Sequence, residues 1–174
     1  VEEVGMTTST TSPRIEDKDE RMLLPTPRLA YRFKIVAEVD PWIEIGTINT
    51  EQLILVPIIG GSVTGELTGQ VLPSGGDWAR LPEGDLVLVE ARYLVQTESG
   101  SIIEVLNTGI GHRVAGGTQL EYFATRPIFR TADPALDWLH RAVFVGWARV
   151  APGATTIEIY EVLAPAASGE DNPC

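Results

Sequence analysis

In the stretch Leu86–Gln96, LVLVEARYLVQ, two charged side chains interrupt an otherwise apolar run. Side chains alternate across a strand, so Glu90 and Arg92 share one face with Leu86, Leu88, Leu94 and Gln96, while Val87, Val89, Ala91, Tyr93 and Val95 share the other. Two orientations are open. Turned inward, Glu90 and Arg92 must pair to offset a desolvation cost of roughly several kcal/mol, and such a buried pair could move a proton or hold an oxyanion. Turned outward, they are ordinary surface charges.

Leu72-Pro73-Ser74-Gly75-Gly76-Asp77-Trp78 presents a second carboxylate beside an indole, on what reads as a rigid glycine-rich turn at a strand end. Asp77 there could act as acid, base or orienter, or simply accept hydrogen bonds from its own turn. Arg126 follows Tyr122-Phe123-Ala124-Thr125 and precedes Pro127, which predicts a loop position from which it could bind an anionic or carbonyl oxygen. Trp42, Trp138 and Trp147, with Tyr122, Phe123, Phe129 and Phe144, supply apolar area for a core or a pocket wall.

Other chemistries find little support. The serines lack a GxSxG elbow and the sole cysteine is Cys174, so no covalent nucleophile is convincingly presented and no internal disulfide is possible. His112 and His140 belong to no HxH or HExxH arrangement, and no glycine-rich piece matches a phosphate loop. Neither a metal nor any other cofactor is expected, which leaves acid–base or electrostatic catalysis.

The 13 Lys and Arg against 24 Asp and Glu give a net charge of −11, which repels phosphate backbones and anionic lipid heads. Neither nucleic acid nor a membrane is therefore an expected partner, whereas a homodimer is left open. The N-terminal residues carry no basic and apolar leader, so the cytoplasm is the expected location.

The elements that must position these residues are strands. Period-two alternation begins with Leu29, Tyr31, Phe33, Ile35 and Val39, and further runs follow at 53–59, 63–72, 85–97, 101–108, 119–123, 143–150 and 155–163, roughly eight strands in all. Gly60-Gly61, Pro73–Gly76, Pro82–Asp85, Glu98–Gly100, Gly116-Gly117 and Pro152-Gly153 read as turns. Only 133–141 (DPALDWLHR) looks helical, with Asp133 as N-cap and Pro134 in the first turn. Glycines through 60–69 suit the corners of a closed barrel, and an eight-stranded barrel can hold one small ligand. The expected organisation is a flexible tail over 1–22, a single all-β antiparallel barrel over 23–164, and a flexible tail over 165–174.

The order Leu29-x-Tyr31-x-Phe33, Pro57-Ile58-Ile59-Gly60-Gly61, Gly65 to Trp78, Glu90-Ala91-Arg92-Tyr93, Tyr122-Phe123, Trp138-Leu139 and Phe144-Val145-Gly146 resembles the domain of unknown function 3237 family over residues 25–163. It differs from the family's commoner pattern at Ser74, Glu90 and Ala124. The resemblance implies a calycin-like β-barrel and members linked to aromatic polyketide tailoring, with dehydration and cyclisation, including Diels–Alder-type [4+2] closure, as activities. Together the residues and the resemblance predict a cofactor-independent lyase or cyclase acting on a hydrophobic aromatic small molecule. In that reading Asp77 or Glu90 moves a proton and Arg92 or Arg126 steadies an enolate-like oxygen, while Trp78, Tyr93, Tyr122 and Trp138 shape the pocket. A non-catalytic carrier or sensor barrel needs the same cavity without the proton-transfer residue, and a structural subunit needs no cavity.

Overall fold

Alternation of apolar and polar side chains carries most of the chain into antiparallel strands. The computed structural model describes residues 24–165, so the two expected tails lie outside the described residues, apart from Pro165. Its strands are β1 (Arg28–Val39), β2 (Ile43–Ile48), β3 (Glu51–Gly65), β4 (Gly69–Val71), β5 (Gly75–Leu81), β6 (Leu86–Thr97), β7 (Ile102–Arg113), β8 (Leu120–Thr131), β9 (Phe144–Ala151) and β10 (Ala154–Leu163). A 3₁₀ helix, Pro134–His140, links β8 to β9.

The sheet runs β1-β10-β9-β8-β7-β6, continues through β4 and β5 onto β3, and closes where β3 pairs back onto β1. Strand β3 is long enough to serve two partners on each side. Its first half pairs β2 and β5, and its second half pairs β1 and β4. With β1–β2 and β4–β5 each counted as one interrupted strand, eight antiparallel strands close a barrel.

The inward side chains form one core: Phe33 and Ile35 of β1, Val63 of β3, Tyr93 and Val95 of β6, Ile103 and Val105 of β7, Phe129 of β8, and Ile157 and Ile159 of β10. One end is sealed by aromatic rings. Trp138 of the helix meets Phe33 and Phe144 edge-on at 6.2 and 5.9 Å, and Phe129 meets the same two at 5.5 and 5.3 Å. The helix begins as the sequence predicts, the Asp133 carboxylate accepting the Ala135 amide at 2.9 Å.

Three local expectations are corrected. Gly60-Gly61 is not a turn: both residues lie inside β3, and a Cβ on Gly61 would stand 1.9 Å from the Val36 carbonyl oxygen. The glycines let β3 bend while pressed against β1. Gly75 to Trp78, read as part of a turn, instead open β5 (75–81), which pairs with both β3 and β6. Arg126 and Pro127 lie in β8, not in a loop. Proline is tolerated there because the β8–β9 ladder holds only the pairs Ala124–Trp147 and Thr125–Gly146, so beyond Thr125 no β9 strand awaits an amide.

Candidate active site

Barrel closure decides which face of β6 looks inward. Val87, Tyr93 and Val95 are buried, whereas Glu90 and Arg92 are exposed on the outside. There Arg92 and Arg130 both hold the carboxylate of Glu104, which sets that carboxyl below its ordinary range. The inward reading of Glu90 and Arg92 is thereby corrected, because Arg92 already has a partner in water and the apolar alternate face fills the core. Trp78 also points outward, about half exposed at 48 %. Tyr122 does too, stacked edge-on between Trp147 and His112 at 5.2 and 5.5 Å. Of the large aromatics, Phe123, Phe129 and Phe144 are core, while Trp42 and Trp147 are exposed.

Asp77 takes the opposite position. It alternates with Trp78 on β5, so its carboxyl turns toward the lumen, half-buried, and Oδ1 accepts the Glu90 backbone amide at 2.9 Å. Burial, only partly offset by that hydrogen bond, pushes its pKa up to about 6. It sits opposite Ala91 on β6, and Ala91 sits opposite Asn107 on β7, which puts Asp77 and Asn107 on one level with only a methyl group between them. Tyr93 lies two residues along β6. Its phenol is held well above its ordinary range by burial and by the nearby Asp77 charge, and so stays protonated.

Three buried polar atoms of the lumen have no hydrogen-bond partner among the described residues: Tyr93 Oη, Asn107 Oδ1 and Thr125 Oγ1. Such atoms are costly and rare in a settled core. Thr125 is held between glycines: a Cβ on Gly146 would reach within 2.1 Å of Thr125 Oγ1, and one on Gly109 within 2.7 Å of its methyl. The neighbours of this polar belt in the cross-strand rows are small: Ala91 stands opposite Asn107, and Gly109 and Gly146 stand on either side of Thr125.

Of the residues singled out in the sequence, Asp77 and Tyr93 come together in the lumen, and Trp138 helps close its aromatic end. Arg126 is on the wall of a separate cleft of about 670 Å³ where β8 and β9 part. Asn107 and Thr125 escaped notice. Their signal was a polar side chain at an apolar phase, Ile103-x-Val105-x-Asn107 and Phe123-x-Thr125. No cluster of three or more His, Cys, Asp or Glu suited to a metal occurs among the described residues, nor is any of their helices long and apolar enough to cross a membrane.

Fold and lumen together define a calycin-like barrel with a polar belt in an apolar interior. More particularly, the chain belongs to the family described as protein of unknown function (DUF3237), which matches residues 27–162. A UPF0311 protein of Rhodopseudomonas palustris is 33 % identical over 153 residues, covering 81 % of this chain and all of that protein. A UPF0311 protein of Clostridium acetobutylicum is 33 % identical over 146 residues, 75 % of this chain and 90 % of its own length. Among solved structures, a conserved protein of unknown function from R. palustris superposes with a TM-score of 0.74 at 35 % identity, over 80 % of this chain and 99 % of that one. An enzyme from Penicillium herquei shares the fold at a TM-score of 0.65 and 19 % identity, over 80 % of this chain and 96 % of its own.

Proposed function

We propose that the barrel lumen carries out cofactor-independent proton transfer on an apolar, oxygenated small molecule, in the manner of a lyase or cyclase. The observation that carries this reading is a half-buried carboxyl with a pKa of about 6, set among the unpartnered polar atoms of Tyr93, Asn107 and Thr125. A carboxyl tuned toward neutrality can both take and return a proton near working pH. An un-ionised phenol without a partner is a donor ready for a carbonyl oxygen, and its hydrogen bond strengthens as that oxygen becomes an enolate.

In a dehydration, the Asp77 carboxylate removes the proton from the carbon next to a substrate carbonyl while Tyr93 donates to the carbonyl oxygen. The proton then passes to the hydroxyl on the next carbon, the C–O bond breaks, and water leaves with a C=C bond formed and no redox change. A ring closure through the same enolate uses the same two groups. This reading takes the oxyanion role from Arg92, which lies outside the barrel, and gives it to Tyr93. That the fold also belongs to a protein described as an enzyme is in keeping with it.

The test is deuterium exchange into 2-tetralone, an aromatic ketone with acidic C–H bonds, followed by NMR. Wild-type protein should accelerate exchange with a pH profile that bends near 6, and Asp77→Asn should fall to the buffer rate. If wild-type protein binds the ketone without exchanging it, the barrel is a carrier; if Asp77→Asn exchanges normally, Asp77 is not the base.

A further inference from the structure

The cleft between β8 and β9 reverses the charge of the molecule around it. The chain carries a net charge of −11, yet among the described residues the ionisable side chains in the wall of this cleft are Arg126 and His140, with no carboxylate. Arg126 makes no ion pair among the described residues, as is also true of Arg28, Arg113 and Arg149, whereas Arg32, Arg80, Arg92, Arg130 and Arg141 each hold an acid. Of these unpaired arginines, Arg126 is the one in the wall of this cleft. In its own cross-strand row Arg126 faces Thr108, and the nearest acid of that row, Glu90, is one strand further on. His140 is already engaged, its Nε2 accepting the Thr131 amide at 3.1 Å and its Nδ1 standing 3.6 Å from Asp137.

The rest of the wall is apolar. Past the Thr125–Gly146 pair the two strands separate, and the gap, a volume of about 670 Å³, is lined by Ile128, Val143 and Val145 with the buried Phe129 and Phe144 at its floor. Ile128 and Val143 are more than half exposed, at 53 and 68 %, and what sets them apart from the other exposed aliphatic side chains is that they line one shared cleft. An apolar slot of this size with one free guanidinium at its rim suits a ligand that is apolar along its body and anionic at one end.

We infer that the β8–β9 cleft is a binding site for an amphipathic carboxylate small enough to fit a slot of this size. Its carboxylate accepts hydrogen bonds from the Arg126 guanidinium, and its hydrophobic body lies between Ile128 of β8 on one side and Val145 of β9, with Val143 just before it, on the other. The site is distinct from the lumen and needs no proton transfer by Asp77.

Paired probes test it on the full chain: 2-naphthoate and its neutral isostere 2-naphthamide, titrated at neutral pH with binding read by backbone-amide NMR. The acid should bind about fivefold tighter than the amide, as one partly exposed charge-assisted contact gives. Shifts should centre on residues 126–129 and 143–145, and the gap should shrink in added salt. Arg126→Gln should remove the preference while leaving naphthamide binding unchanged, and Arg126→Lys should keep most of it. Asp77→Asn should alter neither affinity, which separates this site from the lumen reading. Equal affinity for acid and amide, a preference that survives Arg126→Gln, shifts centred on the lumen residues 91–93 and 107, or no binding of either probe at millimolar concentration would overturn the inference.

Discussion

The two faces of the wall made by β5, β6 and β7 treat a carboxylate in opposite ways. On the outside, Glu104 lies between Arg92 and Arg130 and its carboxyl is held below the ordinary range. On the inside, Asp77 has, among the described residues, a single backbone amide as hydrogen-bond donor and no cation, and its pKa rises to about 6. The outer cluster satisfies its charges and favours folding. The inner one leaves polar groups unsatisfied, which lowers stability and leaves hydrogen-bonding capacity for something that is not protein. A cluster of complementary charges on a sheet is therefore weaker evidence of a site than a single ill-served acid beneath it.

The largest effect expected of any change to this contrast comes from Gly75→Ala. A Cβ there would lie 2.1 Å from the Arg92 carbonyl oxygen and 2.7 Å from Tyr93 Cα, backbone atoms that cannot yield without parting β5 from β6. Urea unfolding should show a loss of about 3 kcal/mol or more; a loss under about 1 kcal/mol would mean that Asp77 is not seated by this close approach.

Asp77→Asn should act in the opposite direction. Because the folded carboxyl has a pKa of about 6 against 3.8 unfolded, the native state binds the proton more tightly. Stability is then full at low pH and falls as pH rises through about 6. Asparagine keeps an acceptor for the Glu90 amide but cannot ionise. The variant should be more stable than wild type by about 2–3 kcal/mol at about pH 8 and equal to it near pH 4. The outer carboxyl runs the other way: depressed in the folded state, Glu104 supports folding above its unfolded pKa, and that support fades only as acid titrates it. A pH-independent difference between Asp77→Asn and wild type would remove the raised pKa from the account.

A smaller gain, about 1 kcal/mol at any pH up to neutrality, is expected for Tyr93→Phe, which deletes a buried hydroxyl without a partner. The same variant should slow ketone exchange if the phenol serves the enolate. Smallest of all is Arg92→Ala. With 64 % of its side chain exposed, its loss should move the thermal midpoint by no more than about 2 °C and leave ligand binding untouched. A large drop in the midpoint would mean that the outer network contributes more to stability than an exposed ion pair does.

Much of this architecture was legible where a local rule decides the outcome. The 3₁₀ turn announced itself in Asp133-Pro134, and the alternation of β1 in Tyr31-x-Phe33-x-Ile35, with the last two inward. The orientation of β6 was not legible, because both of its faces are largely apolar: Leu86, Leu88 and Leu94 outside are half-buried, much as Val89 and Ala91 are inside. Only ring closure chooses between them. Gly75-Gly76 read as a turn because glycine permits one, whereas here Gly75 serves the close approach of β5 to β6 and Gly76 that of β5 to β3. Asn107 and Thr125 were missed since a lone polar side chain in a strand is usually a surface one. Their significance lies in what fails to meet them, a property of three-dimensional neighbours that spacing along the chain does not encode.

The barrel is closed by its first strand against its last but also against its third, with Arg28 opposite Leu163 and Phe33 opposite both Ile159 and Gly65. A chain emerging from the ribosome can therefore zip β1 to β3, and the hairpins of β6 to β8, while β10 is still unmade. Phe33 and Ile35, fully buried in the finished protein, then wait with one side open until Ile157 and Ile159 arrive. Closure across more than a hundred residues is slow relative to hairpin formation. The exposed β1 edge during that interval makes this barrel dependent on completing synthesis before it is safe from edge-to-edge association.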